Sequence, residues 1–282
     1  MAFIGVLAMM SGSLLFNLAA ALQAYEARKA SPKLALRLGL LATLARQPRW
    51  TAGLLLIVSG NVLQIAAYRI APFVVVQPAR AIGLVVLLMA GKHLLKEAIG
   101  KSEVTGVAAM IAGVTLLALN GSEVSDTPRT IAAAIAVVSF LACVALAPFA
   151  VGETTLGRPM GLIVAAGVGF ASTNIATKLM SDASINHLVA AGVWAGVSLT
   201  LGIAATILAM TAFQRCAAST VVPVSVAIQI FLPVIVEPIF LRERFGSDSI
   251  GRGAIIGGLL LAFIGCVLVS RSKAASSVLE RA

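Results

Sequence analysis

Residues 50–91, WTAGLLLIVSGNVLQIAAYRIAPFVVVQPARAIGLVVLLMAG, decide the fold. They form two apolar stretches, Trp50–Ile70 and Pro72–Gly91, that meet at Ala71-Pro72, and their only charges are Arg69 and Arg80. About 20 apolar residues rising 1.5 Å each cross the hydrocarbon layer of a bilayer. No water is available there, so each backbone N–H and C=O must bond within the chain, and an α-helix satisfies that requirement locally. Two consecutive membrane-spanning helices are expected.

The same texture continues in both directions. The 282 residues are 60% hydrophobic and 11% charged, against about a quarter charged in a soluble domain. Seven further apolar blocks are Met1–Ala24, Val104–Leu119, Thr130–Ala150, Gly157–Met180, Leu188–Phe213, Ala217–Leu241 and Gly253–Ser270. An all-α polytopic membrane protein of about nine spans is therefore expected. No short alternating segments of the β-barrel kind occur. Met1–Ala24 lacks a basic leader and a clear cleavage site, so it is read as a retained first span. The stretch Glu26–Arg49 differs, with six Lys and Arg set among leucines. It is expected to form a basic interfacial helix, with a short tenth span over 31–49 as the alternative.

The net charge of +10 invites a nucleic-acid reading. The basic residues lie in the loops, however, and aromatics make up only 5%, so no basic stripe is interleaved with stacking residues. With nine spans, alternate loops fall on alternate sides, and fourteen of the 21 Lys and Arg collect on one of them. That side is expected to be cytoplasmic. This places the N-terminus outside and the C-terminus inside, in a multi-pass plasma-membrane protein. Cys143, Cys216 and Cys266 each stand alone, which gives no disulfide framework and no metal site. No cofactor is implied. HExxH, GxSxG and P-loop patterns are absent, so no enzyme is expected.

An internal repeat appears at an offset of about 145. Ala67-Tyr68-Arg69-Ile70-Ala71 leads to Val76-Gln77-Pro78, and Ala212-Phe213-Gln214-Arg215-Cys216 leads to Val221-Val222-Pro223 at the same spacing. Lys96-Glu97-x-x-Gly100 is matched by Arg242-Glu243-x-x-Gly246. Each copy then enters a glycine-rich span, with Gly106 and Gly113 in one and Gly258 and Gly265 in the other. The two copies fall on opposite sides of the membrane. The expected organisation is thus two inverted halves, 1–120 with four spans and the basic segment, and 121–282 with five. Many secondary transporters use this architecture and bind substrate near the midplane.

Candidate site residues follow from the cost of polarity in lipid. Arg80 sits about eight residues into its span, where a charge costs several kcal/mol unless it meets a cavity or a partner. It is read as an anion or carboxylate contact, as the partner of Glu237 or Glu26, or as a cap on carbonyls freed by Pro78. Gln77, Gln64, Asn61, Asn17, Asn174 and Gln229 are candidate hydrogen-bonding groups for a polar substrate, or else glue between helices. Pro78 and Pro223 are candidate helix interruptions at equivalent positions. Glu237 is a candidate coupling group or ion-pair partner. The glycine pairs Gly106/Gly113 and Gly253/Gly257 are expected to be packing surfaces.

The series Gln47-Pro48-Arg49-Trp50-x-x-Gly53, Gly60-Asn61, Ala66-Ala67-Tyr68-x-x-Ala71-Pro72-x-x-x-Val76-Gln77-Pro78 and Lys96-Glu97 resembles the drug/metabolite transporter (DMT, EamA-like) superfamily. Within it, the series is most similar to NIPA-type magnesium transporters. The resemblance implies ten helices in two inverted halves, of which this chain lacks the second, with Glu26–Arg49 in its place. It also implies secondary transport. NIPA-type chains carry an acid after the glycine where this one has Gly60-Asn61, and Mg²⁺ favours carboxylates and retained water. The main expectation is a transporter of a small polar or anionic metabolite by alternating access. Transport of Mg²⁺ or another divalent cation, and a non-transporting accessory subunit, are the alternatives. The partners expected are the bilayer, a small-molecule or ion substrate, and as a further candidate a second copy of the chain.

Overall fold

A computed structural model describes residues 2–71, 76–97, 99–119, 131–151, 159–183, 187–240 and 249–270. In order, the helices are α1 (Ala2–Ala27), α2 (Leu38–Leu44), α3 (Pro48–Ile70), α4 (Gly83–His93), α5 (Lys101–Leu119), α6 (Ile131–Val151), α7 (Pro159–Ala183), α8 (Leu188–Arg215), α9 (Ala218–Phe240) and α10 (Ser249–Ser270). Among the described residues, 3₁₀ turns lie at Pro32–Leu34 and Gln77–Ile82. The chain is an all-α, multi-pass membrane protein. Among the described residues, Phe3–Ala27, Pro48–Ile70, Pro159–Ala183 and Leu188–Arg215 are long and apolar enough to cross a bilayer.

Burial follows the solvent. Leu55, Val62, Phe140, Leu199 and Phe263 point outward, as befits side chains that meet lipid tails. The interior is built largely of small residues: Ala19, Ala21, Ala24, Ala67, Ala166, Ala205 and Ala212 are buried. Lipid offers apolar groups as good a home as protein does, so close backbone approach and dispersion hold such helices together. The broadest contacts join α1 to α3, α7 to α8, and α5 to α10.

The α5–α10 pair shows how close that approach is. A Cβ added to Gly106 would lie 2.7 Å from the Gly265 carbonyl oxygen, and one on Gly113 would lie 2.5 Å from that of Gly258. The early glycine of α5 thus faces the late glycine of α10, and the reverse, so the helices run antiparallel. The packing surface of α10 is therefore Gly258 and Gly265. Gly253 has open space around it, and Gly257 meets only Leu116 at an ordinary 3.7 Å.

The basic stretch after α1 does not cross the membrane. It holds the Pro32–Leu34 turn and the seven-residue α2, about 10 Å of helix against about 30 Å of hydrocarbon. It folds back over the end of α8: Leu36 N–H donates to Thr211 Oγ1 at 3.1 Å, and Gln214 Nε2 reaches the Ser31 carbonyl at 3.3 Å. Leu40 and Leu44 of α2 are buried.

The stretch Pro72–Gly91 was expected to be one span. The described part divides into the Gln77–Ile82 turn, with Pro78 in its first positions, and α4. The equivalent Pro223 makes no such break. α9 runs unbroken through it, because one missing N–H near a helix start costs one bond and leaves the following turns intact.

An ordinary helical Gly→Ala change stabilises by up to about 1 kcal/mol. Gly106→Ala and Gly113→Ala are expected to lower the melting temperature in detergent, since the new methyl meets backbone. Gly253→Ala should leave it unchanged or raise it. A rise for all three would remove the close-packing account.

Candidate functional site

Arg80 is placed by the 3₁₀ turn and by α1. Ser13 Oγ donates to the Arg80 carbonyl, and Asn17 Nδ2 holds Ser13 through its carbonyl at 2.9 Å and its hydroxyl at 3.3 Å. Gly83 begins α4 directly against this pair, where a Cβ would collide with Ser13 and Asn17. The guanidinium then reaches into the bundle. Its Nη1 donates to Gln64 Oε1 at 3.1 Å and to Asn174 Oδ1 at 2.9 Å, and its Cζ lies 5.2 Å from the Phe16 ring centroid. The Tyr68 hydroxyl lies beside it and accepts from Gln64 Nε2 at 3.0 Å. Phe16 is itself seated on α3 at Gly60, where a Cβ would come within 2.9 Å of the ring. The glycine of Gly60-Asn61 thus makes room for the ring that supports Arg80.

From Arg80 the polar contacts run across four elements. Gln64 Nε2 also donates to Asn174 Oδ1 at 3.2 Å, Asn174 Nδ2 to Gln229 Oε1 at 3.2 Å, and Gln229 Nε2 to the Ser225 carbonyl at 3.2 Å. α3 and the 3₁₀ turn supply Gln64 and Arg80, while α7 and α9 supply Asn174 and Gln229. All four side chains are buried, Arg80 to 9% exposure. Among the described residues, every hydrogen-bond acceptor on the guanidinium is neutral. Glu26, one of the carboxylates expected to pair with it, instead stands 3.4 Å from Lys29 at the end of α1, too far along the helix to reach the middle of the membrane. Among the described residues, the cluster is therefore a buried guanidinium held by neutral side chains.

Not every polar residue of the sequence joins it. Asn17 lies one contact away, through Ser13, and its Oδ1 is buried with no partner among the described residues. Asn61 donates to the Ile57 carbonyl of its own helix at 3.0 Å and makes no hydrogen bond to the cluster. Gln77 and Pro78 start the 3₁₀ turn, and Glu237 lies in α9. The side chains of these three fall outside the described residues.

Glu97 carries weight that its place in a loop conceals. Lys96 adopts a left-handed conformation, with φ of 55°, and turns the chain back. The Glu97 carboxylate then accepts from the backbone N–H groups of Ala218 at 2.7 Å and Ser219 at 2.9 Å, the start of α9, and pairs with Arg28. A carboxylate at a helix N-terminus satisfies orphan donors and opposes the helix dipole. Burial works against its charge, but the neighbouring Ser219 hydroxyl, the Arg28 guanidinium and the Ser219 N–H outweigh burial and hold the carboxyl below its ordinary 4.5. Glu103, one residue before the span expected from Val104, lies in the first turn of α5, where it accepts from Gly100 N at 2.9 Å.

α3 and α7, both long and apolar enough to cross a membrane, meet at this buried polar cluster, and a family match makes the chain a membrane transporter. The family model described as magnesium transporter NIPA matches residues 1–151, more than half of the chain, which belongs to that family. No curated protein and no solved structure is significantly similar to it.

Because the folded value of Glu97 lies below the unfolded one, its contribution is complete above the unfolded value and is lost as pH falls through the folded one. Glu97→Gln is expected to destabilise by about 1–3 kcal/mol near neutral pH. The gap in melting temperature between variant and wild type should hold steady down to about pH 4.5 and shrink below it. Thermal unfolding in detergent from pH 7 to pH 3 measures this, and a gap that widens on acidification would contradict it.

Proposed function

We propose that the chain is a secondary transporter of small anionic metabolites. It works by alternating access between two inverted halves, 1–120 and 121–282, in the plasma membrane, with its N-terminus outside and its C-terminus in the cytoplasm. The observation that carries this reading is Arg80, buried among neutral oxygens from both halves. A guanidinium offers five donors in a fixed fork that matches a carboxylate. The antiparallel packing of α5 on α10, with their glycines in reciprocal register, supports the inverted arrangement.

The family favours a second reading, transport of Mg²⁺. Mg²⁺ holds its waters and seeks one or two carboxylates. Among the described residues no three His, Cys, Asp or Glu side chains come together, and the charge at the centre of the cluster is positive. These features weigh toward the anion.

Flux into proteoliposomes separates the two. For an anionic substrate, Arg80→Gln is expected to cut carboxylate uptake by about a hundredfold, the loss of one strong charge-assisted contact, and to leave melting temperature within a few degrees of wild type. Mg²⁺ uptake that survives Arg80→Gln, with no carboxylate uptake by wild type, would favour the cation. Absence of both, with co-purification of a fixed membrane partner, would point to an accessory subunit.

A further inference from the structure

α1 and α3 are both long and apolar enough to cross a bilayer. They run antiparallel, with Gly12 of α1 against Gly60 of α3, and Gly53 of α3 against Ala19 and Gln23 of α1. The residues that join them, 28–47, therefore lie at one face of the membrane, level with the lipid headgroups. This strip and the start of α3 are basic, and the protein does not balance the charge. Lys29, Lys33, Arg37, Arg46 and Arg49 are exposed, and no Asp or Glu occurs between Glu26 and Glu97. Glu97 is taken by Arg28 and the start of α9, and Glu26 stands 3.4 Å from Lys29. Among the described residues, Lys33, Arg37, Arg46 and Arg49 have no carboxylate partner.

The strip is also held in shape. Lys29 Nζ lies 3.8 Å from the centroid of the Tyr25 ring, and Arg49 Cζ lies 4.8 Å from the same centroid. Two cations from opposite ends of the strip are thus drawn to one aromatic ring. The bonds of Leu36 to Thr211 and of Gln214 to Ser31 fix the middle of the strip on α8. Leu40 and Leu44 turn into the protein, while Leu38 of the same short helix is 71% exposed. Long side chains lose freedom when a ligand gathers them, and here part of that loss has already occurred.

We propose that residues 29–49 form a docking platform for anionic phospholipid. Phosphodiester headgroups sit on Lys29 and Arg49 beside Tyr25, with Lys33, Arg37 and Arg46 around them, and Leu38 enters the acyl boundary. Clusters of four or more Lys and Arg beside a membrane-spanning helix attract anionic lipid in this way. A phosphodiester carries one negative charge on free oxygens that guanidinium and ammonium groups can donate to. A choline headgroup brings its own cation and loses that advantage. A free phosphate meets the same donors, but it has no chains and gains nothing from Leu38 or from confinement to the surface. The proposal is independent of what the protein carries.

The two tryptophans test it, because they stand at opposite ends of the bundle. Trp50 directly follows Arg49 at the start of α3. Trp194 lies in the second turn of α8, whose other end holds the strip. Trp194→Phe leaves Trp50 as the reporter at the platform, and Trp50→Phe leaves Trp194 as the reporter far from it. Each full-length variant is reconstituted in phosphatidylcholine vesicles that contain either brominated phosphatidylglycerol or brominated phosphatidylcholine. Fluorescence quenching then gives the relative affinity of the two lipids. At Trp50, phosphatidylglycerol is expected to be preferred by about tenfold, and at Trp194 by less than about twofold. Lys29→Gln with Arg49→Gln should remove most of the preference at Trp50, and Lys33→Gln with Arg37→Gln should at least halve it. Lys92→Gln with Lys101→Gln, an equal loss of exposed charge outside the strip, should leave it intact. Equal preference at the two tryptophans, or a Trp50 preference that neither strip variant lowers, would overturn the platform. So would an equal loss in the Lys92/Lys101 variant, which would reduce the effect to general surface charge. Displacement of the brominated lipid by millimolar glycerol 3-phosphate would overturn phospholipid as the ligand.

Discussion

A single positive charge in a medium that cannot solvate it governs the middle of this molecule. Arg80 must find oxygen, and helices from two distant parts of the chain supply it. Gln64 comes from α3 and Asn174 from α7. The surrounding choices follow from that need. Gly60 clears space for Phe16 beneath the guanidinium, Gly83 lets α4 start against α1, and Ser13 fixes the carbonyl of the residue that bears the charge. Amides suit this task because each accepts from one neighbour and donates to the next, so a chain of them spreads a charge without adding another.

The ends of the bundle are held by different means. Where α1, α4, α8 and the start of α9 meet, charge and backbone caps dominate: Glu97 on α9, Arg28 on Glu97, and Gln214 on the turn after α1. At the far end Lys178 donates to the Tyr68 carbonyl in the last turn of α3 at 3.0 Å and pairs with Asp182. The Glu97 carboxylate is buried at one end and Lys178 is largely covered at the other, so both sets of contacts hold charge against backbone away from open water. Between them lies the glycine-lined seam of α5 and α10, where backbone meets backbone.

Much of this was legible in the sequence, because the bilayer constrains it so strongly. The helical elements follow from apolar length, and Arg80, Gln64, Asn174 and Gln229 stood out as polar residues with no reason to lie in lipid. Asn61 satisfied the same criterion, yet it bonds to its own helix, since an amide in a helix can always reach the carbonyl four residues back. Pro223 matched Pro78 in sequence, but its surroundings allow the helix to continue. Glu97 escaped notice because its partners lie 121 and 122 residues away. No local pattern announces which helix start a loop carboxylate will cap. The nearest signal was the recurrence of Lys96-Glu97 as Arg242-Glu243.

The six-residue turn Gln77–Ile82 has a consequence of a mechanical kind. A 3₁₀ helix rises about 2.0 Å per residue with three residues per turn, whereas an α-helix rises 1.5 Å with 3.6. Rewinding those six residues into α-helix would draw the segment in by about 3 Å and rotate it by about a third of a turn. Arg80 lies within the turn, so a change of winding would carry the charge both along and around its axis while α4 stayed packed. The segment is in effect a coiled spring with the buried charge mounted on it.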